Sequence, residues 1–174
     1  RSVFATGGFL LILGWNSVLK NSPKIMIKLN FPEFEFKREI RDGKELIFDP
    51  VRRRFVALTP EEWVRQHAIR YLTGYKNVPV SLIRIEAVIK LFRTKKRFDL
   101  VVSDRNGNAL LLAEFKSPAV AVTQSVLDQA VRYNLALKVK YLVLSNGIQH
   151  VYCQVGNDPG SLKLLDDLPE FQFL

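Results

Sequence analysis

Two acidic residues and a lysine lie at the ends of apolar stretches, and their types and spacing suit metal-assisted chemistry. Asp99 precedes the apolar run LVV, and Glu114 follows the run LLLA with Lys116 two positions later. The pair Asn106-Gly107 between the two runs is a strong signal for a β-hairpin. The sequence therefore predicts two antiparallel strands that carry these three charged side chains at their open end.

The predicted hairpin register brings the three charged residues together. A two-residue loop places Asp99 opposite Glu114, and a longer loop closed by Asp104 and Ala109 keeps the same pairing. Directly paired side chains lie on one face of a sheet, with Cβ atoms about 4.5–5.5 Å apart. Because side chains alternate along a strand, Lys116 points to the same face as Glu114.

This grouping has a functional and a structural interpretation. Two close carboxylates repel each other unless a cation lies between them, and hard oxygen ligands suit Mg²⁺. A bound Mg²⁺ would activate a water, and Lys116 would orient or deprotonate that water or stabilise developing negative charge. The alternative is a structural ion pair between Glu114 and Lys116 on an exposed sheet face.

Composition limits the kinds of protein that this chain can be. Its 174 residues fit one domain, and the content of 48% hydrophobic and 25% charged residues is typical of a soluble globular protein. The net charge is +9, and the region from Arg52 to Lys140 holds 17 basic and seven acidic residues, which favours a polyanionic partner. An ordinary solubilising charge is the alternative.

Cysteine, histidine and apolar patterns argue against several other classes. The single cysteine, Cys153, excludes an internal disulfide, and His67 and His150 lack partners at zinc-ligand spacing. The apolar runs fall short of the roughly 20 residues that span a bilayer, so we expect a cytoplasmic protein with no membrane partner.

The chain divides into four segments by composition. Residues 1–25 are apolar and free of acids, and we expect an extension before a natural start at Met26; a secretion signal and an added helix are the alternatives. Residues 26–50 should form a strand pair or arm, 51–156 the core and 157–174 a tail.

Local signals predict the elements of the core. Thr59-Pro60 with Glu62 forms a capping-box start for a helix that ends near Gly74. Strands are predicted at 82–92, 98–103, 109–115, 141–144 and 150–154, with a second helix at about 123–138 before the last two. This order predicts an α/β fold in which helices pack on a mixed β-sheet.

These residues resemble a known family. Phe98-Asp99 followed by Glu114-Phe115-Lys116 looks like the PD-(D/E)XK nuclease core, with Phe98 where the family name has proline. Residues 48–154 are similar to the N-terminal nuclease domain of type I restriction enzyme R subunits. The stretches that carry this resemblance are FDPVRRRFVALTPEEWVRQH, KRFDLVV, LLAEFKSP, LDQAVRYN and YLVLSNGIQH.

The resemblance implies a restriction-endonuclease-like fold with an αβββαβ core and a DNA endonuclease that uses Mg²⁺. In it, Asp99 and Glu114 bind the metal, Lys116 assists catalysis, and Glu62 on the first helix completes the metal shell. The capping box explains Glu62 equally well.

The resemblance also implies residues that contact DNA or brace the site. Gln129 and Tyr133 match the family's Q-x-x-x-Y motif, although ordinary helix packing would also explain them. Arg65 and Gln66 are candidates for phosphate binding or for bracing the site. Two basic clusters could hold duplex phosphates or form a solvated rim: Arg52, Arg53 and Arg54, and Lys90, Arg93, Lys95, Lys96 and Arg97.

The expected partners are DNA and restriction-modification or helicase subunits. This sequence lacks a G-x-x-x-x-G-K-[ST] loop, so it has no ATP site of that kind and a motor would have to come from elsewhere. Two alternatives remain: a DNA-binding or assembly module that keeps the fold without cleaving, and an enzyme that acts on another phosphate substrate such as RNA.

Overall fold

A computed structural model describes residues 27–91, 94–123, 139–156 and 161–173. The N-terminal extension at 1–25 lies outside these residues, as do almost all of the predicted second helix and its Gln129 and Tyr133.

Two β-sheets and one long helix make up the described part of the chain. A three-stranded antiparallel sheet has the order β1-β2-β3, and a six-stranded sheet has the order β4-β5-β6-β7-β8-β9. Within the larger sheet β6 and β7 are parallel, and the other neighbours are antiparallel. The elements are β1 (Arg38–Arg41), β2 (Lys44–Asp49), β3 (Arg54–Ala57), α1 (Pro60–Gly74), β4 (Ile83–Leu91), β5 (Thr94–Ser103), β6 (Ala109–Phe115), β7 (Tyr141–Ser145), β8 (His150–Val155) and β9 (Leu162–Leu165). The predicted α/β class with a mixed sheet is confirmed.

Helix α1 begins and packs as its sequence predicts. The Thr59 side chain caps the first turn by accepting a hydrogen bond from the Glu62 amide at 3.0 Å, and Pro60 opens the helix. The predicted stripe of Val64, Ala68 and Leu72 is buried against the larger sheet. Among the residues that the structure describes, no helix is long and apolar enough to cross a membrane.

The strand pair in the 26–50 segment is β1 with β2, and the described residues before β1 form no strand. Residues 27–37 run as irregular chain along α1, and the rings of Phe31, Phe34 and Phe36 lie 5.9, 6.0 and 4.6 Å from the His67 ring. Pro32 removes a donor that a strand ladder would need, and burial of the aromatic rings against α1 stabilises the irregular path.

The C-terminal segment, expected to be a tail, contains structure of its own. Strand β9 pairs with β8 and forms one edge of the larger sheet. Beyond it, the Asp167 carboxylate accepts hydrogen bonds from Lys76 at 2.5 Å and from the Tyr71 hydroxyl. These contacts hold the segment against the end of α1.

Candidate active site

Strands β5 and β6 diverge at the point where the candidate residues lie. Their pairing extends as far as Leu100 with Ala113. Beyond that point β5 continues beside β4, while β6 continues beside β7 through Phe115. Asp99 and Glu114 are the next residues outward on the two strands, so they stand at the mouth of this fork.

The hairpin loop differs from the predicted one, yet the predicted register holds at the fork. The Asp104 amide donates to the Asn108 carbonyl at 2.8 Å, and Ser103 pairs with Ala109. A one-residue shift next to Val102 then restores the register that the sequence predicts. The two-residue loop was therefore wrong, and the irregularity in the ladder compensates for it.

The Asp99 carboxylate fills the fork between the strands. Its Oδ2 takes the place of a strand carbonyl, because it accepts a hydrogen bond from the Phe115 amide at 2.8 Å. Its Oδ1 lies 3.7 Å from Nη2 of Arg65. The side chain is 17% exposed. The carboxylate is thus oriented by a main-chain donor and faces a cation.

A distortion of the sheet turns Asp99 into this position. Phe98 packs in one apolar cluster and Leu100 in the other, although two residues of a regular strand at this spacing would share a face. Glu86, between the β4 residues that pair with Phe98 and Leu100, has a left-handed backbone with φ of 51°. A non-glycine residue in this conformation is uncommon and is often found at functional sites.

Glu62 is buried in the same region and does not complete a capping box. Its Oε1 accepts from Gln66 Nε2 at 2.9 Å, and its Oε2 lies 2.5 Å from Arg65 Nη1 and 3.5 Å from Arg52 Nη1. The Thr59 amide, which a capping box would pair with this carboxylate, donates to a carbonyl of β3 instead. The predicted cap is half formed, and the Glu62 side chain belongs to a charged network.

Arg65 links the helix to the fork. Its side chain is 6% exposed, and its guanidinium contacts Glu62 at 2.5 Å, Glu61 at 3.5 Å and Asp99 at 3.7 Å. Its Nε has no hydrogen-bond partner among the described residues. One planar cation therefore bridges carboxylates from two different elements.

Two further carboxylates join the network through Arg52, and sequence reasoning missed both. Asp49 is fully buried; its Oδ1 accepts from the amides of Val51 and Arg52 at 2.8 and 2.9 Å, and its Oδ2 lies 3.5 Å from Arg52 Nε. Glu86 lies 3.7 Å from Arg52 Nη2. The Asp-x-x-Arg spacing suggests a turn of this kind, but nothing in the sequence links it to Glu62.

An open cleft of about 580 Å³ gives solvent access to the part of this network on α1, at Arg52 and at Glu86. The charged network has an excess of three negative charges. It consists of two guanidinium groups, Arg52 and Arg65, and five carboxylates, Asp49, Glu61, Glu62, Glu86 and Asp99. The residues lining the cleft include Arg52, Thr59, Glu62, Arg65, Glu86 and Ser117.

Glu114 and Lys116 approach the fork from β6. Ala113 and Phe115 pack in the apolar cluster under α1, so alternation directs the Glu114 side chain to the side of the strand away from α1, the helix that carries Glu62 and Arg65. The Lys116 amide donates to the Ser145 carbonyl at 2.9 Å, which holds the chain beside β7 just before the cleft residue Ser117. In the described ranges, no group of three Asp, Glu, His or Cys side chains stands close enough to hold a metal ion as it is.

The predicted basic clusters occupy different environments. Arg52 lies inside the charged network, whereas Arg53 and Arg54 are exposed beside it. Lys95 and Arg97 are exposed on β5, and the side chain of Lys96 lies outside the described set.

Comparison with known proteins gives one family and two solved structures. The family model "Type I restriction enzyme R protein N terminus (HSDR_N)" matches residues 60–169. No curated protein matches the chain significantly.

Both solved structures are distant in sequence. A fragment from Vibrio vulnificus YJ016 assigned to the HsdR subunit of a type I restriction enzyme is 23% identical, with a TM-score of 0.45; the match covers 65% of this chain and 24% of the fragment. A DUF820 protein from Anabaena variabilis ATCC 29413 assigned as a nuclease is 14% identical, with a TM-score of 0.42; the match covers 82% of this chain and 86% of that one. This chain thus spans about a quarter of the Vibrio fragment.

Proposed function

Because the chain belongs to the family of type I restriction enzyme R protein N termini, we propose that it is a Mg²⁺-dependent endonuclease-type domain that hydrolyses DNA. The family model covers well over half of the chain's length. Asp99, Glu114 and Glu62 are the proposed metal ligands, and Lys116 is the proposed catalytic cation.

The observation that carries this proposal is the excess of carboxylates around Arg52 and Arg65, which includes Asp99 at the fork of β5 and β6. The protein as a whole has a net charge of +9, yet its charged network holds five carboxylates and only two guanidinium groups. Uncompensated negative charge of this kind attracts cations, and carboxylate oxygens are the ligands that Mg²⁺ prefers. Glu62 and Asp99, which belong to this network, thus supply oxygen donors of the kind that Mg²⁺ prefers, although in the described ranges no three such side chains stand at metal-binding spacing before a metal is bound.

The chain's own residues would share the work of the reaction. Asp99 is oriented by the Phe115 amide and Glu62 by Gln66, so both carboxylates are held before any ligand arrives. Mg²⁺ held by such ligands would supply a water of lowered pKa and neutralise charge on a phosphate. Lys116, which directly follows β6, would orient a water, remove its proton or stabilise negative charge on the phosphate.

The surroundings of the cleft suit a nucleic-acid backbone. Beyond the fork, β4 and β5 continue together as a two-stranded ribbon on which Lys95 and Arg97 are exposed. Arg53 and Arg54 are exposed and directly follow Arg52, which lines the cleft. Exposed Lys and Arg side chains bind phosphates without reading sequence, and this binding weakens as salt increases.

Cleavage of labelled DNA by the purified chain tests the proposal. We expect turnover in Mg²⁺ and none in EDTA; Lys116→Ala should abolish turnover while DNA affinity changes little, and Lys163→Ala, an exposed lysine on β9, should leave turnover unchanged. Parallel assays on duplex DNA, single-stranded DNA and RNA identify the substrate. Metal-independent turnover, or full activity of Lys116→Ala, would contradict the proposed mechanism.

One observation favours a second candidate, a DNA-binding or assembly module that does not cleave. Arg52 and Arg65 already make ion pairs with the carboxylates that would hold the metal. Such a module would bind DNA with strong salt dependence and show no hydrolysis at any Mg²⁺ concentration. In either case, restriction-modification or helicase subunits are the proposed protein partners.

A further inference from the structure

Arg65 occupies the space between two of the carboxylates that the proposed metal site requires. We propose that its guanidinium is the resident cation of the site, neutralising Glu62 and Asp99 in the metal-free protein and leaving Asp99 when Mg²⁺ binds. This inference rests on the proposed function, because it assigns a role in metal loading to a residue of the same site.

The contacts of Arg65 support an exchange of one cation for another. The guanidinium lies 2.5 Å from Glu62 and 3.7 Å from Asp99, and the Arg65 side chain is only 6% exposed. No three carboxylates in the described part of the chain stand at metal-binding spacing. As they stand, the carboxylates are arranged around an arginine, so a metal ion can gather them only if that arginine moves.

The two ends of this bridge differ in strength. The 2.5 Å contact with Glu62 is a short charge-assisted hydrogen bond, while the 3.7 Å separation from Asp99 is too long for one. The unpartnered Nε of Arg65 also leaves one of its donors unused in this position. The contact with Asp99 is therefore the one that opens, and the contact with Glu62 is the one that persists.

Electrostatics makes the two cations compete. A divalent ion and a guanidinium that face the same carboxylate in a partly buried site repel each other strongly. Removing the arginine charge should therefore strengthen Mg²⁺ binding, although the metal-free protein should lose stability because Asp99 then loses the guanidinium it faces and Glu62 keeps only Arg52, at 3.5 Å. A residue that only braced the fold would affect stability and leave metal affinity unchanged or weaker.

Mg²⁺ titration of the full chain by calorimetry, together with thermal unfolding with and without Mg²⁺, tests this exchange. For Arg65→Gln we expect a lower melting temperature without metal, an Mg²⁺ dissociation constant about tenfold smaller and a larger rise in melting temperature on adding Mg²⁺. Arg70→Gln is the matched control, because Arg70 is exposed on the same helix and donates to the Glu35 carbonyl. It should bind Mg²⁺ as the wild type does.

A second variant covers the case in which Arg65→Gln does not fold. Arg65→Lys keeps the charge but loses the planar guanidinium group that spans two carboxylates. The affinity of this variant for Mg²⁺ should therefore be higher than that of the wild type. If the wild-type chain binds Mg²⁺ and the Arg65 variants bind it no more tightly, the proposed exchange of Arg65 for Mg²⁺ is overturned, while the proposed function stays intact. A wild-type chain without any Mg²⁺ binding would overturn both.

Discussion

Replacement of Glu62 by glutamine tests whether the charged network stabilises the fold. The Glu62 side chain is 7% exposed and faces two guanidinium groups, at 2.5 Å from Arg65 and 3.5 Å from Arg52. Removing one partner of a buried ion pair costs about 3–5 kcal/mol, because the remaining charge stays desolvated without compensation. Arg65 keeps Glu61 and Asp99, Arg52 keeps Asp49 and Glu86, and the cleft admits solvent on one side, so we expect a smaller loss of about 2–3 kcal/mol in the free energy of unfolding.

The neighbouring residue supplies a control on the same helical turn. Glu61 is 47% exposed and lies 3.5 Å from Arg65, so Glu61→Gln should cost no more than about 0.5 kcal/mol. Urea unfolding measures both variants, and the loss for Glu62→Gln corresponds to a fall of about 5–10 °C in melting temperature. If the two variants unfold within about 0.5 kcal/mol of each other, the network does not stabilise the fold as argued.

Two further predictions concern a tight turn and the pH dependence of stability. Gly147→Ala should destabilise the fold more than Gly107→Ala in chemical unfolding. Both glycines have a positive φ, so the backbone cost is shared. An added Cβ at Gly147 would lie 2.7 Å from the Leu29 side chain, whereas one at Gly107 would meet nothing within 4 Å. Equal losses would show that Leu29 moves aside freely. Burial lowers the pKa of both His67 and His150 in the folded state. The unfolded chain therefore binds more protons than the folded chain in mild acid. The free energy of unfolding should fall from its neutral-pH value as the pH drops through and below about 6.5. Urea titrations across this range should show a smaller fall in His67→Gln, and a flat wild-type profile would contradict the assignment.

Local sequence signals predicted the elements and the register at the fork. Thr59-Pro60 predicted the start of α1, and apolar runs predicted strands β4 to β8 to within a few residues but neither β3 nor β9. The register of the last β5–β6 pair before the fork, Leu100 with Ala113, was predicted although the loop was not, because a one-residue shift in the ladder offsets the change in the loop. Such compensation arises from the pairing of whole strands, in which apolar side chains must face the core.

The charged network could not be predicted, because it joins elements that are distant in sequence. The capping box gave Glu62 a sufficient local explanation, whereas its carboxylate in fact faces Arg52, which lies in the turn between β2 and β3. Asp49 and Glu86 carry no motif, and the left-handed backbone of Glu86 has no glycine to mark it. Charge pairing of this kind depends on how the small sheet packs beside α1, which no local pattern encodes.

Conversion of supercoiled plasmid to nicked or linear DNA in Mg²⁺ tests the central claim most directly. We expect conversion by the wild type and by Asp104→Asn, whose carboxylate lies in the hairpin loop at the other end of β5, and none by Asp99→Asn. Circular dichroism should confirm that all three proteins are folded. Equal nicking by wild type and Asp99→Asn would show that the fork of β5 and β6 is not where the phosphodiester bond is broken.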